Sequence, residues 1–376
     1  MFLTLPQLIL FGVISQFLFL ILLCLAPSKT RRLPRQLLAL VLVGFAGTLL
    51  EVFLHTTGLA FRYPDTAFTG TILGMLQPGA IFLYAQSIMY REFRLKLQHL
   101  AHGLPVLGAT AVFIVGYYLL PANAQVKIQA DSHYPGVMTS VVLAIILHGI
   151  VLGYLAATLN KISHFGIELR NIFSELSNKK LNWLRNLLMA YGAAWSLSLA
   201  YCLLAHVLRV SDSHQSLTIA TTIVSIAVLL PMSTLAFRQP TVFAGISPAF
   251  LKTEEPAGAN TTGQPPELLT SQIERVMEQQ QPYLHSNLTV DRLARLVELS
   301  PRELSHFLNQ QIGKNFYEFV NGYRIERARQ RLADSAETAP ITDIMYESGF
   351  NSKSVFNTLF RKTIGKTPSQ YRRLFL

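Results

Sequence analysis

Two sets of side chains in this sequence have the types and spacing to do chemistry. Glu51 and His55 stand four residues apart inside an apolar run, so a helix would carry a carboxylate and an imidazole on one face. Such a pair can bind a polar ligand, relay a proton or sense pH; hydrogen bonding between helices is the competing use, as it is for Gln77, Gln86, His148 and His206. The second set is polar and cationic: Arg302, Ser305, His306 and Asn309, then Lys353, Ser354, Asn357, Thr358 and Arg361. Arg and Lys suit guanine edges or phosphates, Asn suits adenine, and Ser and Thr suit either. A solvated helix face would explain any one of these residues, but two such faces, each behind a turn and without large apolar groups, point to nucleic acid. Cys24 and Cys202 sit singly in apolar runs and act as small hydrophobes. The sequence shows no nucleotide-binding glycine loop, no metal-spaced His/Cys cluster and no catalytic set. It therefore reads as a non-enzyme without cofactor or metal.

The second set needs short helices and tight turns to hold it, and the last third of the chain spells them out. A helix from about Leu269 to Gln281 carries Ile273, Val276 and Met277 on one face, and Pro282 closes it. Thr289 can cap a helix bearing Leu293, Ala294 and Val297. Ser300-Pro-Arg-Glu303 is a capping box with proline in the first turn; it opens a helix with Leu304, Phe307 and Leu308 inward, which Gly313 ends. Two short helices across a tight turn make a helix-turn-helix. After a longer helix from Phe316 to Leu332 the pattern recurs: Ile341 to Gly349, a turn anchored by Phe350, and a helix capped by Ser352 with Val355, Phe356, Leu359 and Phe360 buried. From Ile341 to Leu376, 6 Lys/Arg stand against 2 Asp/Glu.

The rest of the chain obeys another solvent. The overall charge of +11 hides a step: Met1 to Phe237 holds 15 Lys/Arg and 7 Asp/Glu, the remainder 17 and 14. Apolar runs near the 20 residues that cross a bilayer lie at 7–26, 37–59, 68–89, 104–120, 137–159, 186–208 and 217–237, which predicts seven spans. Alternate loops hold 12 Lys/Arg (Lys29, Arg31, Arg32, Arg35, Arg91, Arg94, Lys96, Lys161, Arg170, Lys179, Lys180, Arg185) against 3 (Arg62, Lys127, Arg209). That bias places the N-terminus outside and the C-terminus in the cytoplasm. Charge follows the first apolar run, so it reads as an uncleaved span and not a signal peptide. Pro78 and Pro231 mark kinks. Residues 238–267, rich in Pro, Gly, Thr and Glu, read as a flexible cytoplasmic linker, where Asn260-Thr-Thr would carry no sugar.

Residues Leu288 to Ala294, Leu299 to Ser305, Phe316 to Val320 and Tyr323 to Ala328 resemble the C-terminal DNA-binding domain of AraC/XylS-type transcription regulators. The ending is the most specific part: Ile341-Thr-Asp-Ile, Glu347-Ser-Gly-Phe-Asn351, Ser354-Val-Phe356, Phe360-Arg-Lys362 and Gly365-Lys-Thr-Pro-Ser-Gln-Tyr-Arg372. Met345 and Asn309 depart from residues frequent in the family, alanine and lysine respectively, which bears on the target sequence and not on the fold. The resemblance covers about the last 105 residues. It implies a seven-helix, two-lobed module reading adjacent major grooves near a promoter, in contact with RNA polymerase, here behind membrane spans in a bacterial arrangement.

The expectation is thus all-α: a seven-helix transmembrane bundle over 1–237, the linker over 238–267, and an AraC-type domain with two helix-turn-helix units over 268–376. The matching function is an inner-membrane, multi-pass transcription regulator. Its partners would be double-stranded DNA, membrane lipid, RNA polymerase and a second copy of itself, and its signal a small molecule or a membrane property. Two other classes fit part of the pattern: a transporter-like or enzymatic membrane protein with a regulatory tail, and an adaptor whose helical module binds protein.

Overall fold

The computed structural model describes residues 3–27, 31–130, 141–176, 181–208 and 265–375. They fall into two compact units, one drawn from Met1–Ile162 and Leu181–Ile246, the other from Ser163–Lys180 and Ser247–Leu376. Among the described residues every regular element is a helix, joined by one isolated antiparallel bridge between Phe173 and Thr289.

Six stretches among the described residues are helical, long and apolar enough to cross a membrane: Leu5–Leu25, Arg32–Thr56, Pro64–Met89, Leu97–Tyr118, Val142–Ile172 and Asn182–Leu204. They overlie the first six expected spans. The seventh, 217–237, lies outside the described residues, with Pro231, the side chain of His206 and residues 238–264 of the linker.

In the first unit α1 (Leu5–Leu25) lies along α2 (Arg32–Thr56), with Phe17 and Phe45 rings 6.5 Å apart. Two cations at the start of α2 cap other helix ends: Arg35, in its first turn, donates to the carbonyls of Leu23 (3.0 Å) and Ala26 behind α1, and Arg31, its N-cap, donates to that of Ser87 (2.8 Å). The third stretch is broken. After a short α3 (Leu59–Arg62), α4 (Thr69–Gly74) hands over at Met75 to α5 (Leu76–Met89), whose first turn holds Pro78, where a missing N–H costs nothing. Small residues let α2 and α4 approach closely: a Cβ on Gly70 would run into the Gly47 carbonyl and the Glu51 side chain. The fourth stretch joins a 3₁₀ turn (Leu97–Gly103), α6 (Leu104–Phe113) and a π turn (Ile114–Tyr118); α7 (Ala122–Ala130) follows.

The fifth helix differs most from expectation. As α8 (Val141–Ile172) it runs well past Leu159, because a buried stripe of Ile162, Phe165, Leu169 and Ile172 continues at helical spacing between its charged residues. Then comes α9 (Asn182–Leu208).

Several polar side chains in these helices pair across the bundle, while Trp183 Nε1 and the Tyr201 hydroxyl of α9 are buried without a hydrogen-bond partner among the described residues. Tyr191 donates to Gln77 (2.6 Å), and Gln77 to Thr48 (3.2 Å). His148 meets Ser198 at 3.2 Å, and His102 meets Tyr154 at 2.9 Å. Gln86 is half-buried near the end of α5.

Candidate nucleic-acid interface

The second unit builds its tail from local signals. α10 (Pro266–Gln279) turns Leu269, Ile273, Val276 and Met277 inward. α11 (Val290–Leu296) starts on Thr289, whose hydroxyl accepts from the Arg292 N–H at 3.3 Å. α12 (Pro301–Phe307) starts on Ser300: its hydroxyl accepts from the Glu303 N–H at 3.2 Å, and Glu303 accepts from the Ser300 N–H at 2.9 Å. The helix then widens into a π turn (Leu308–Ile312) and stops at Gly313, φ 70°, with the Lys314 N–H returning to the Leu308 carbonyl. Ser300→Ala should cost this unit about 1 kcal/mol, read as a lower midpoint for its thermal unfolding, with Ser300→Thr close to wild type. Equal midpoints for Ser300→Ala and wild type would refute the cap.

α13 (Phe316–Ala333) separates the two helix-turn-helix units. The second consists of α14 (Ile341–Glu347), Gly349 at φ 89°, buried Phe350, and α15 (Lys353–Ile364), which starts on Ser352. α16 (Pro368–Arg372) closes the chain over this lobe. Its core is one cluster: Ile325, Ala328, Leu332, Ile344, Met345, Phe350, Phe356 and Phe360. Met345, the departure from the family's alanine, packs here at 1% exposure, so the cluster has room for it. Arg331 bridges Glu337 (2.6 Å) and Glu347, and Arg372 holds the Ala339 (2.7 Å) and Glu337 carbonyls. The Glu337 carboxyl is held below the usual range, first by the Ala339 N–H and then by Arg331. Two acidic groups of this lobe are therefore engaged with Arg331.

Against that frame of helices the nine sequence-selected residues divide by helix. On α12 and its π turn, Arg302, His306 and Asn309 are exposed and Ser305 is half-buried; the Asn309 amide donates to the Ser305 carbonyl at 2.8 Å. On α15, Lys353, Ser354, Asn357, Thr358 and Arg361 are all exposed, opposite buried Phe356 and Phe360. Each set lies on the second helix of its unit, the one that enters the major groove in DNA-bound helix-turn-helix proteins.

In the first unit Glu51 and His55 go separate ways. The Glu51 carboxylate accepts from the Thr71 N–H and from its hydroxyl at 3.0 Å, capping α4, whose N-cap Phe68 sits at φ 62° and supplies no side-chain cap. The His55 ring instead meets Phe61 edge-on, 6.0 Å between centroids.

Sequence reasoning missed Arg324. It is 0% exposed, and all five of its N–H donors have acceptors. Nε donates to the Tyr283 carbonyl (2.7 Å), Nη1 to the Ser174 carbonyl (3.1 Å) and Asn321 Oδ1 (3.2 Å), and Nη2 to Ser174 Oγ (3.1 Å) and the His285 carbonyl (2.8 Å). Its face lies 5.8 Å from the Phe350 ring centre. Burial lowers its pKa to about 10, opposed by the nearby Glu175 charge, so the cation persists at neutral pH. The missed signal is spacing: Arg324 falls midway between buried Val320 and Ala328 on one stripe of α13.

Residues 293–374 match a family described as a helix-turn-helix domain. Over 100 residues the chain is 33% identical to an uncharacterised HTH-type transcriptional regulator of Staphylococcus aureus strain COL, covering 27% of this chain and 13% of that protein. Over 98 residues it is 31% identical to the transcriptional activator RhrA of Rhizobium meliloti, covering 26% of this chain and 31% of RhrA. The chain thus spans less than a third of either relative. No solved structure matches. The tail is an AraC-type helix-turn-helix domain of the kind carried by transcriptional regulators, which is not an enzyme family.

Proposed function

We propose that this chain is a membrane-anchored transcription regulator that binds promoter DNA through two helix-turn-helix units. The observation that carries the reading is the pair of exposed polar faces, one on α12 and one on α15, each opposite a buried apolar core in a single unit. Six helices able to cross a membrane support the anchor, and the loop bias of Lys and Arg supports a cytoplasmic tail at a bacterial inner membrane. Lipid is then the partner of the first unit, and duplex DNA and RNA polymerase are partners of the second. Confinement to a membrane raises the local concentration of tails, so a homodimer would grip paired sites more tightly without new contacts.

The signal enters through the spans. Glu51 and His55 remain the proposed sensing pair, now with a specific lever: a ligand or proton that takes the Glu51 carboxylate releases the cap of α4. Mapping bound promoters in cells carrying the full chain, against cells lacking residues 265–376, tests the reading. Specific promoters should be enriched only with the full chain. A reporter fused behind Leu376 should be active in the cytoplasm, and activity only on the far side of the membrane would end the proposal.

A further inference from the structure

The loop behind the fifth long helix is part of the DNA-binding unit. The 31 residues of Val142–Ile172 would stretch roughly 46 Å at 1.5 Å per residue, against about 30 Å of hydrocarbon. With the crossing begun at Val142, the last turns of α8, with His164, Glu168 and Arg170, would lie past the bilayer core, and from Ser163 on they belong to the second unit.

There the chain inserts Ser174, which is 1% exposed. Its N–H and its hydroxyl both donate to the Leu288 carbonyl, at 3.3 and 2.7 Å. Its carbonyl accepts from Asn321 (3.0 Å) and Arg324 (3.1 Å), and its hydroxyl accepts from Arg324 (3.1 Å). The preceding residue, Phe173, bridges to Thr289, the N-cap that starts the first helix-turn-helix. On the other side of the same guanidinium lies the second: a Cβ on Gly349 would run into the Tyr283 carbonyl and come within 3.0 Å of Arg324 Nε. Of the five acceptors around Arg324, Tyr283 and His285 precede the first helix-turn-helix, Asn321 is on the central helix, and two belong to Ser174. Withdrawing the loop strands two N–H groups of a buried cation, a loss far above that of an exposed ion pair. The partners of Ser174 are all different from the nine residues of the polar faces, so the loop acts on the module without needing the DNA-facing positions.

We propose that residues 173–176 form a latch through which the fifth membrane helix sets the relative placement of the two helix-turn-helix lobes, so that movement of that helix changes the grip on DNA. This rests on the reading of the chain as a membrane-held DNA-binding regulator, and it supplies that reading with a transmission joint.

The test uses the full chain in membrane vesicles, with sheared genomic DNA of the host bacterium as probe. In a Cys24→Ala, Cys202→Ala background, Phe173→Cys with Thr289→Cys should cross-link on mild oxidation, since paired residues across an antiparallel bridge lie within disulfide reach. Ser174→Ala should weaken retention of specific fragments about tenfold, the loss expected for one hydrogen bond to a charged group. No cross-link means no dock, and unchanged retention with Ser174→Ala means no transmission; either overturns the latch. Should Ser174→Ala unfold the module, seen as lost amide protection at Phe356 and Phe360, the cross-link decides alone. A wild-type chain that retains no specific fragments refutes the DNA-binding reading instead, and the latch is then overturned as a control of DNA binding.

Discussion

Phe360→Ala is expected to melt the second helix-turn-helix lobe. Phe360 is 0% exposed and stands between the Phe356 and Tyr371 rings, each 5.6 Å away between centroids. It joins α15 to α16 through Tyr371 and shares its cluster with Ile325, Ala328 and Leu332 of α13. Truncating a buried Phe costs about 3–5 kcal/mol, from lost transfer energy plus the cavity left behind. A whole domain holds a margin of only about 5–15 kcal/mol. Hydrogen exchange should show protection collapsing across residues 341–372, with a smaller loss in α11 and α12. Phe360→Leu, which keeps most of the volume, should retain most of the protection. The control is Tyr346→Ala at 55% exposure, expected within about 0.5 kcal/mol of wild type. If Phe360→Ala and Tyr346→Ala melt alike, the cluster is not what holds this lobe.

The features legible in the sequence are the ones set by neighbours a few residues away. Thr289, Ser300 and Ser352 cap helices because an N-cap needs only the N–H groups of its own first turn. Gly313 ends the π turn and Gly349 follows α14, both at positive φ, as the turn residues promise. Six long apolar helices were legible too, because an unbroken apolar run of that length shows in the residue types themselves. What stayed hidden depends on partners distant in the chain. Glu51 looks like a free carboxylate until Thr71, twenty residues on, is turned toward it by the left-handed Phe68. The full length of α8 was masked by Lys161, His164, Glu168 and Arg170, whose charges suggest a loop although Phe165, Leu169 and Ile172 keep helical phase. Arg324 reads as one more surface cation because its acceptors are mostly backbone carbonyls, and a carbonyl has no letter in a sequence.

The face of α15 should separate base reading from phosphate holding. Lys353, Asn357 and Arg361 succeed one another at four-residue steps, and Ser354 and Thr358 form the adjoining row, all exposed. Lys353 is the first residue of the helix, where the N–H groups and the dipole already favour an anion, so its ammonium suits a phosphate. Asn357 and Arg361 lie one and two turns further along, and the proposed reading assigns them to base edges because an amide suits adenine and a guanidinium suits guanine. Lys353→Ala should therefore weaken binding to all fragments alike and reduce the slope of log affinity against log salt by about 1. Asn357→Ala and Arg361→Ala should each cost about 1–3 kcal/mol on specific fragments and relax the sequence preference, so the double variant should lose roughly 30-fold or more. None of the three changes should move the unfolding midpoint, because none removes buried surface. The measurement is a salt titration of retained fragments, with sequencing of what each variant keeps. Were the double variant to hold the same fragments as wild type at every salt concentration, α15 would not be a reading helix.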